Sequence, residues 1–121
     1  MTSPFIEQAM FMAACGQTIS FDNVDQSVMY ARLIDEEFEE FCSAGNEVDK
    51  ADAVIDMIVV LIGYGLSRGW PMQELWNEVM NSNMAKIDLE TGKVRRREDG
   101  KILKPEGWKA PDIAKVLREH A

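Results

Sequence analysis

Histidine is almost missing from this chain, and that absence is informative. The one histidine, His120, stands beside the last residue, so neither a His-based catalytic triad nor a His-rich zinc site can be assembled. Cysteine is scarce as well, with Cys15 and Cys42 the only two. In a reducing compartment they stay thiols, and burial preference predicts two small core side chains. No glycine-rich phosphate loop is present, so Gly63 and Gly65 are expected to serve close helix packing or a bend. The longest apolar stretch is short of the twenty or so residues that a membrane span needs, and no membrane association is expected. A basic segment followed by an apolar one, the mark of a secretory leader, does not open the sequence, and the expected location is the cytoplasm.

What is present fits one globular domain over 1–121. Hydrophobic residues make up 46% and charged residues 28% of the 121, an ordinary folded composition. The net charge of −8 argues against a nucleic-acid polymer as partner. The charge is also segregated. Residues 86–109 hold eight bases and five acids, whereas the remainder holds five bases and sixteen acids. A solvated charge run is the plain reading; an acidic body with a basic phosphate-gripping segment is the functional one.

Periodicity predicts an all-α fold. Ser3-Pro4 reads as a cap and first-turn proline for a helix ending near Gly16. A turn rich in Asp and Asn (Asp22, Asn23, Asp25) precedes a second helix that stops at Gly45, and Asn46 caps a third that lasts to Gly69. Pro71 opens a fourth helix reaching about Lys86. Beyond it, Glu98-Asp99-Gly100 is expected to turn a short hairpin, and Pro111 to start a short last helix. The predicted architecture is an antiparallel four-helix bundle over 1–87, with a basic loop or hairpin tail over 88–121. The tail's glycines, Gly92, Gly100 and Gly107, predict that it moves and closes on substrate.

The third helix is apolar on all sides from Ala53 to Leu66 except at Asp56, which predicts burial all round. A carboxylate there needs a cation or a donor network, because burying it alone costs several kcal/mol. Asp52 and Asp49 lie one and two turns earlier on the same side. In the second helix, residues 35–40 place five carboxylates in six positions. At about 100° per residue, Tyr30, Ile34, Phe38 and Phe41 form the core stripe. Asp35 and Glu39 face solvent, while Glu36, Glu37 and Glu40 sit at the stripe's edge. The short link Gly45-Asn46 forces the two helices antiparallel, which brings Glu36, Glu37 and Glu40 opposite Asp49, Asp52 and Asp56. Repelling carboxylates gathered this way are the oxygen ligand set of hard cations, Mg²⁺ or Mn²⁺.

The pattern EExxE at Glu36-Glu37-x-x-Glu40, followed by Asp52 and Asp56, resembles the MazG-like all-α nucleoside triphosphate pyrophosphohydrolases. The chain is similar to their short, often phage-encoded branch, described as phosphoribosyl-ATP pyrophosphohydrolase-like. The likeness runs through FMxAxGQ (Phe11 to Gln17), RLIxEExxE (Arg32 to Glu40) and SNMxK (Ser82 to Lys86). It continues in REDGKxLKPxGW (Arg97 to Trp108) and PDI (Pro111 to Ile113). One position departs: the superfamily's second motif is usually ExxD, and Ala53 occupies its Glu place, with Asp52 as the substitute.

The resemblance implies Mg²⁺-assisted hydrolysis of a nucleoside triphosphate to a monophosphate and pyrophosphate, with Mn²⁺ able to substitute. Glu37, Glu40, Asp52 and Asp56 are the implied metal ligands. Glu36 is either a further ligand or the base on the attacking water, and Asp49 is a weaker candidate for another ion. Asn83, Lys86, Arg97, Lys101 and Lys104 are the implied substrate contacts. Homodimers or homotetramers are expected, and a phage-like member would act on the deoxynucleotide pool, with dGTP or another purine nucleotide as substrate. Trp70, Trp76 and Trp108 are expected to pack in core or interface, Trp108 being the best candidate to stack on a base. Two other readings compete: a phosphoribosyl-ATP pyrophosphohydrolase of histidine biosynthesis, and a noncatalytic helical interaction module.

Overall fold

The computed structural model describes residues 2–120. Five helices and one small hairpin follow in order: α1 (Pro4–Ala14), α2 (Val24–Ser43), α3 (Glu47–Ser67), α4 (Met72–Met84), β1 (Ile87–Asp88), β2 (Lys93–Val94) and α5 (Ile113–Glu119). α1, α2 and α3 each start where a polar side chain satisfies a free backbone donor. The Ser3 hydroxyl accepts from the Ile6 N–H at 3.2 Å, Asn23 from Gln26 at 3.1 Å and Asn46 from Asp49 at 2.8 Å. α5 begins at Ile113, capped by Asp112, two residues after the expected proline start.

The chain divides into two compact units, residues up to Met72 and Gln73–His120. In the first, α2 and α3 pack side by side and run in opposite directions. The ammonium of Lys50, in the first turns of α3, donates to the Phe41 carbonyl near the end of α2 at 2.8 Å. Two-thirds along α3, Gly63 faces the ring of Tyr30 near the start of α2. A Cβ at Gly63 would run into that ring, so this glycine sets how closely the helices approach. The core gathers Met12 of α1, Tyr30 of α2, and Val60, Ile62 and Leu66 of α3. A polar clamp closes this end of the pair. Gln26 Nε2 donates to the Thr18 carbonyl and to Ser67 Oγ, both at 2.8 Å, and the Tyr30 hydroxyl donates to Gln17 Oε1 at 2.7 Å.

In the second unit the tail is tied to α4. The Trp108 indole N–H donates to the Ser82 carbonyl at 2.8 Å, the Ser82 hydroxyl donates to the Lys109 carbonyl at 3.2 Å, and the Asp112 N–H donates to Glu78 Oε1 at 3.0 Å. The sheet pairs Ile87 with Val94 and Asp88 with Lys93, turning through Gly92 at φ +69°. Around Glu98-Asp99-Gly100, where a short hairpin was expected, Arg96 bridges Ile102, and the Arg97 N–H donates to the Lys101 carbonyl and the Leu103 N–H to the Arg95 carbonyl, both at 2.8 Å.

Three expectations are corrected. Cys15 and Cys42 are exposed, not core residues. Phe38 is 54% exposed; its ring stacks on Phe41 at 6.4 Å instead of entering the core. α3 is not buried all round, since Ile55, Ile58 and Leu61 are exposed. The cause is geometric: within the first unit α3 packs on α2 and α1, and two neighbours cover only part of a helix's circumference. No helix among the described residues is long and apolar enough to cross a membrane.

Candidate metal centre

The α2–α3 contact gathers carboxylates that the chain's own cations leave alone. Glu37 and Glu40 are one turn apart on α2, and Asp56 faces them from the middle of α3. One oxygen from each lies within 4.8 Å of the others. Among the described residues none of the three forms an ion pair. Lys50, a basic residue of α3, is turned away, its ammonium held by the Phe41 carbonyl and lying 4.6 Å from the Phe41 ring centre.

The electrostatics follow from this crowding. The Glu37 carboxyl is pushed above the usual carboxylate range, first by burial, then by the hydrogen bond it shares with Glu40 and the charges of Glu40, Asp56 and Asp52. Asp56 is raised too, first by burial and then by the charges of Asp52 and Glu40. Glu37 Oε2 is buried and among the described residues has no hydrogen-bond partner, although buried carboxylate oxygens are ordinarily satisfied. An all-carboxylate donor set with an unsatisfied inward oxygen fits a hard divalent cation. A proton on Glu37 is the alternative relief, and the upward shift records that competition.

Of the carboxylates expected to converge, the structure brings Glu37, Glu40 and Asp56 into one close group. Asp52 is exposed and lies outside it, although its charge reaches both Glu37 and Asp56. Asp52 and Asp49 instead line a cleft of about 300 Å³ with Glu40, Ser43 and Gly45. Asp49 accepts from Asn46 Nδ2 at 2.8 Å as part of the α3 cap. Ala53, at the position where the superfamily usually carries Glu, is buried, and it lines the same cleft as Asp52 and Glu40. Glu36 is exposed on α2, outside the close group.

The second unit holds the basic candidates. Lys86 Nζ donates to Asn83 Oδ1 at 3.2 Å. Lys86 and Lys104 both place their ammonium groups on the Trp108 ring, 5.3 and 4.6 Å from its centre. Trp108 therefore offers its face to cations; packing in core or interface was expected of it, with a stacked base as the other candidate. Arg97 is engaged by Asp99, with Nη2 at 2.5 Å from Oδ2 and Nε at 3.2 Å from Oδ1. That pairing holds the guanidinium pKa up and the Asp99 carboxyl below its ordinary value. Lys101 donates its backbone N–H to the same carboxylate at 3.1 Å. The sequence pointed neither to the contact of Lys50 nor to the pairing of Asp99 with Arg97, although the spacing of two residues between Arg97 and Asp99 was a signal for the second.

The helices that carry this acidic group also carry the family likeness. Residues 16–83 match phosphoribosyl-ATP pyrophosphohydrolase, a span that includes Glu36, Glu37, Glu40, Asp52 and Asp56 and ends before the basic tail. No curated protein matches the chain. The family match covers more than half of the 121 residues, and the chain belongs to the phosphoribosyl-ATP pyrophosphohydrolase family, within the MazG-like nucleoside triphosphate pyrophosphohydrolase superfamily.

Proposed function

We propose that the chain is a Mg²⁺-dependent nucleoside triphosphate pyrophosphohydrolase that converts a ribo- or deoxyribonucleoside triphosphate to its monophosphate and pyrophosphate, with dGTP or another purine nucleotide as the favoured substrate. The observation that carries it is the unpaired convergence of Glu37, Glu40 and Asp56, with Glu37 Oε2 left without a partner among the described residues. These three would hold the ion, with Asp52 beside them. A bound divalent cation supplies charge neutralisation of the phosphates and a lowered pKa for bound water. Glu36, exposed next to Glu37, is the proposed acceptor of the proton lost by the attacking water. The water oxygen bonds to the α-phosphorus, and the bridging oxygen departs with pyrophosphate. Asn83, Lys86, Arg97, Lys101 and Lys104 are proposed to bind the phosphate chain as charged or polar donors.

A four-helix bundle completed by α4, an oligomeric state of two or four copies and a cytoplasmic location belong to the same proposal. One observation favours a second reading: the family match itself names phosphoribosyl-ATP, which would place the enzyme in histidine biosynthesis. The residues that separate the two, from Lys86 to Lys104, lie beyond the matched span. A panel of nucleoside triphosphates and phosphoribosyl-ATP, assayed for pyrophosphate release with Mg²⁺ and with chelator, decides between them. Release from dGTP or another triphosphate, lost on chelation, is the expected result. Turnover of phosphoribosyl-ATP alone establishes the second reading, and no turnover of any substrate rejects both.

A further inference from the structure

Lys86 and Lys104 are eighteen positions apart in the sequence, yet both ammonium groups lie on the ring of Trp108, at 5.3 and 4.6 Å from its centre. Their separation can be no more than the sum of those two distances, within the reach of a phosphate chain. Among the described residues neither lysine is ion-paired with a carboxylate. The ring between them is fixed at two points: its N–H donates to the Ser82 carbonyl at 2.8 Å, and the Trp108 backbone N–H donates to the Pro105 carbonyl at 3.1 Å. Lys86 is further steered by Asn83 Oδ1 at 3.2 Å.

One cation on an indole is a common packing device. Two on the same indole are different, because each is drawn to the ring while repelling the other, and among the described residues neither is held in an ion pair. The same ring that restrains both side chains removes rotamer freedom that a bound anion would otherwise have to remove. A cleft of about 500 Å³ opens beside the ring; Trp108 and Lys109 line it together with the acids Glu78, Glu106 and Asp112, and among the described residues neither Lys86 nor Lys104 does. We infer that Trp108 is a positioning residue, which holds Lys86 and Lys104 together as a two-pronged site for a polyphosphate chain. The inference rests on the reading of the substrate as a nucleoside polyphosphate. It goes beyond that reading by assigning the tryptophan and by pairing these two lysines rather than treating the basic segment as a diffuse patch.

Inorganic tripolyphosphate is the probe, titrated into the full chain in chelator and followed by calorimetry and by the Trp108 indole N–H resonance. Lys104→Gln and Lys86→Gln are each expected to weaken binding about tenfold or more, the loss of one charge-assisted contact. The double variant is expected to lose less than the product of the two, since both side chains hold one ligand. Trp108→Leu, with both lysines intact, is expected to weaken binding several-fold, and Trp108→Phe to restore most of it by returning an aromatic face. In turnover assays the Trp108→Leu loss is expected in KM, with kcat close to the starting value. Independent, multiplicative lysine losses overturn the inference, as does wild-type tripolyphosphate affinity in Lys104→Gln; either result can be read even if Trp108→Leu does not fold. Tripolyphosphate binding that follows this pattern without hydrolysis of any triphosphate rejects the proposed activity and leaves the site standing. Hydrolysis with lysine-independent binding rejects the site alone.

Discussion

The acidic pair α2–α3 and the basic segment after α4 solve the same problem with opposite signs. Each gathers like charges that no ion pair relieves among the described residues. The acids are held by helix backbones: Glu37, Glu40 and Asp56 converge because two antiparallel helices meet at a distance set by Gly63 against Tyr30. The bases are held by a side chain: Lys86 and Lys104 meet on an indole, within a segment whose longest strand pairing is two residues. Arg97 differs from both, because Asp99 already pairs with it. The contrast teaches that the acids are set by helix packing, as a group that could hold a cation, whereas the bases are set by side-chain contacts, with one member already paired to an acid.

The largest expected effect falls on the acidic side. Glu40→Gln and Asp56→Asn keep volume and remove charge from the close group. Each is expected to cut pyrophosphate release by more than the roughly 10–100-fold that outer-shell partners of a metal site typically cost, with the melting profile largely retained. Glu39→Gln, exposed on α2, is expected to be nearly silent. Equal damage at Glu39 and Glu40 would erase the distinction between the ordered cluster and a generally acidic helix.

A cation and a proton compete for the same relief, so melting temperature sharpens the comparison next. Burial and neighbouring carboxylates raise Glu37 and Asp56 above their usual pKa values, so between the unfolded and folded values the native state binds more protons. Stability of the metal-free protein from these groups is therefore full at pH values below the ordinary carboxylate pKa and declines as pH rises through the raised ones. Mn²⁺ is expected to reverse that decline. At a hundred times its Kd the midpoint near pH 7 rises by roughly 10 °C, and much less near pH 4. Calorimetry across pH with and without Mn²⁺ measures it, and an ion effect independent of pH would detach the cluster from metal binding.

Much of this was legible in the residues because local signals act over a turn or two. Ser3 and Asn46 announced their helices as caps, the Asp- and Asn-rich turn marked the approach to α2, and the short link at Gly45-Asn46 fixed the antiparallel pairing that brings Glu37 and Glu40 to Asp56. Three things were not. The exposure of Ile55, Ile58 and Leu61 was hidden because an apolar stretch does not say how many neighbours the helix has. Asp52 lies one turn before Asp56 on the same side of α3, yet it stays outside the close group; a linear motif does not say how near two side chains come. Trp108's hold on Lys86 is a tertiary contact between the end of α4 and a later loop, and no spacing rule describes it.

Helix separation offers a smaller effect on the acidic side. Gly63→Ala raises helix propensity but drives a methyl into the Tyr30 ring, whose hydroxyl is fixed on Gln17. Overpacking of this kind commonly costs about 1–3 kcal/mol, so a net drop of a few degrees in the midpoint is expected. Asp56 lies two turns earlier on the same face of α3, so a looser carboxylate group and weaker Mn²⁺ binding are expected with it. A variant as stable as the starting protein would show that Tyr30 yields, and that the cluster's geometry does not depend on this contact.

The smallest effect tests the basic side at its paired member. Arg97 and Asp99 are both more than half exposed, at 55% and 58%, and exposed pairs of this kind contribute little to stability. Asp99 has a second task, accepting the Lys101 N–H through Oδ1 at 3.1 Å. The turn is also held by the Arg97 N–H to the Lys101 carbonyl at 2.8 Å. Asp99→Asn keeps an oxygen for that N–H while removing the charge that occupies the guanidinium. If Arg97 binds phosphate, release from Asp99 lowers KM by a few-fold at most, about the scale of a surface pair, with kcat and melting unchanged. Asp99→Ala removes the acceptor as well and is expected to loosen the turn, offsetting that gain. Steady-state kinetics of the two variants side by side, at low salt where surface charges are least screened, make the measurement. An unchanged KM in Asp99→Asn would assign Arg97 to the turn alone, leaving Lys86 and Lys104 as the working bases of the tail.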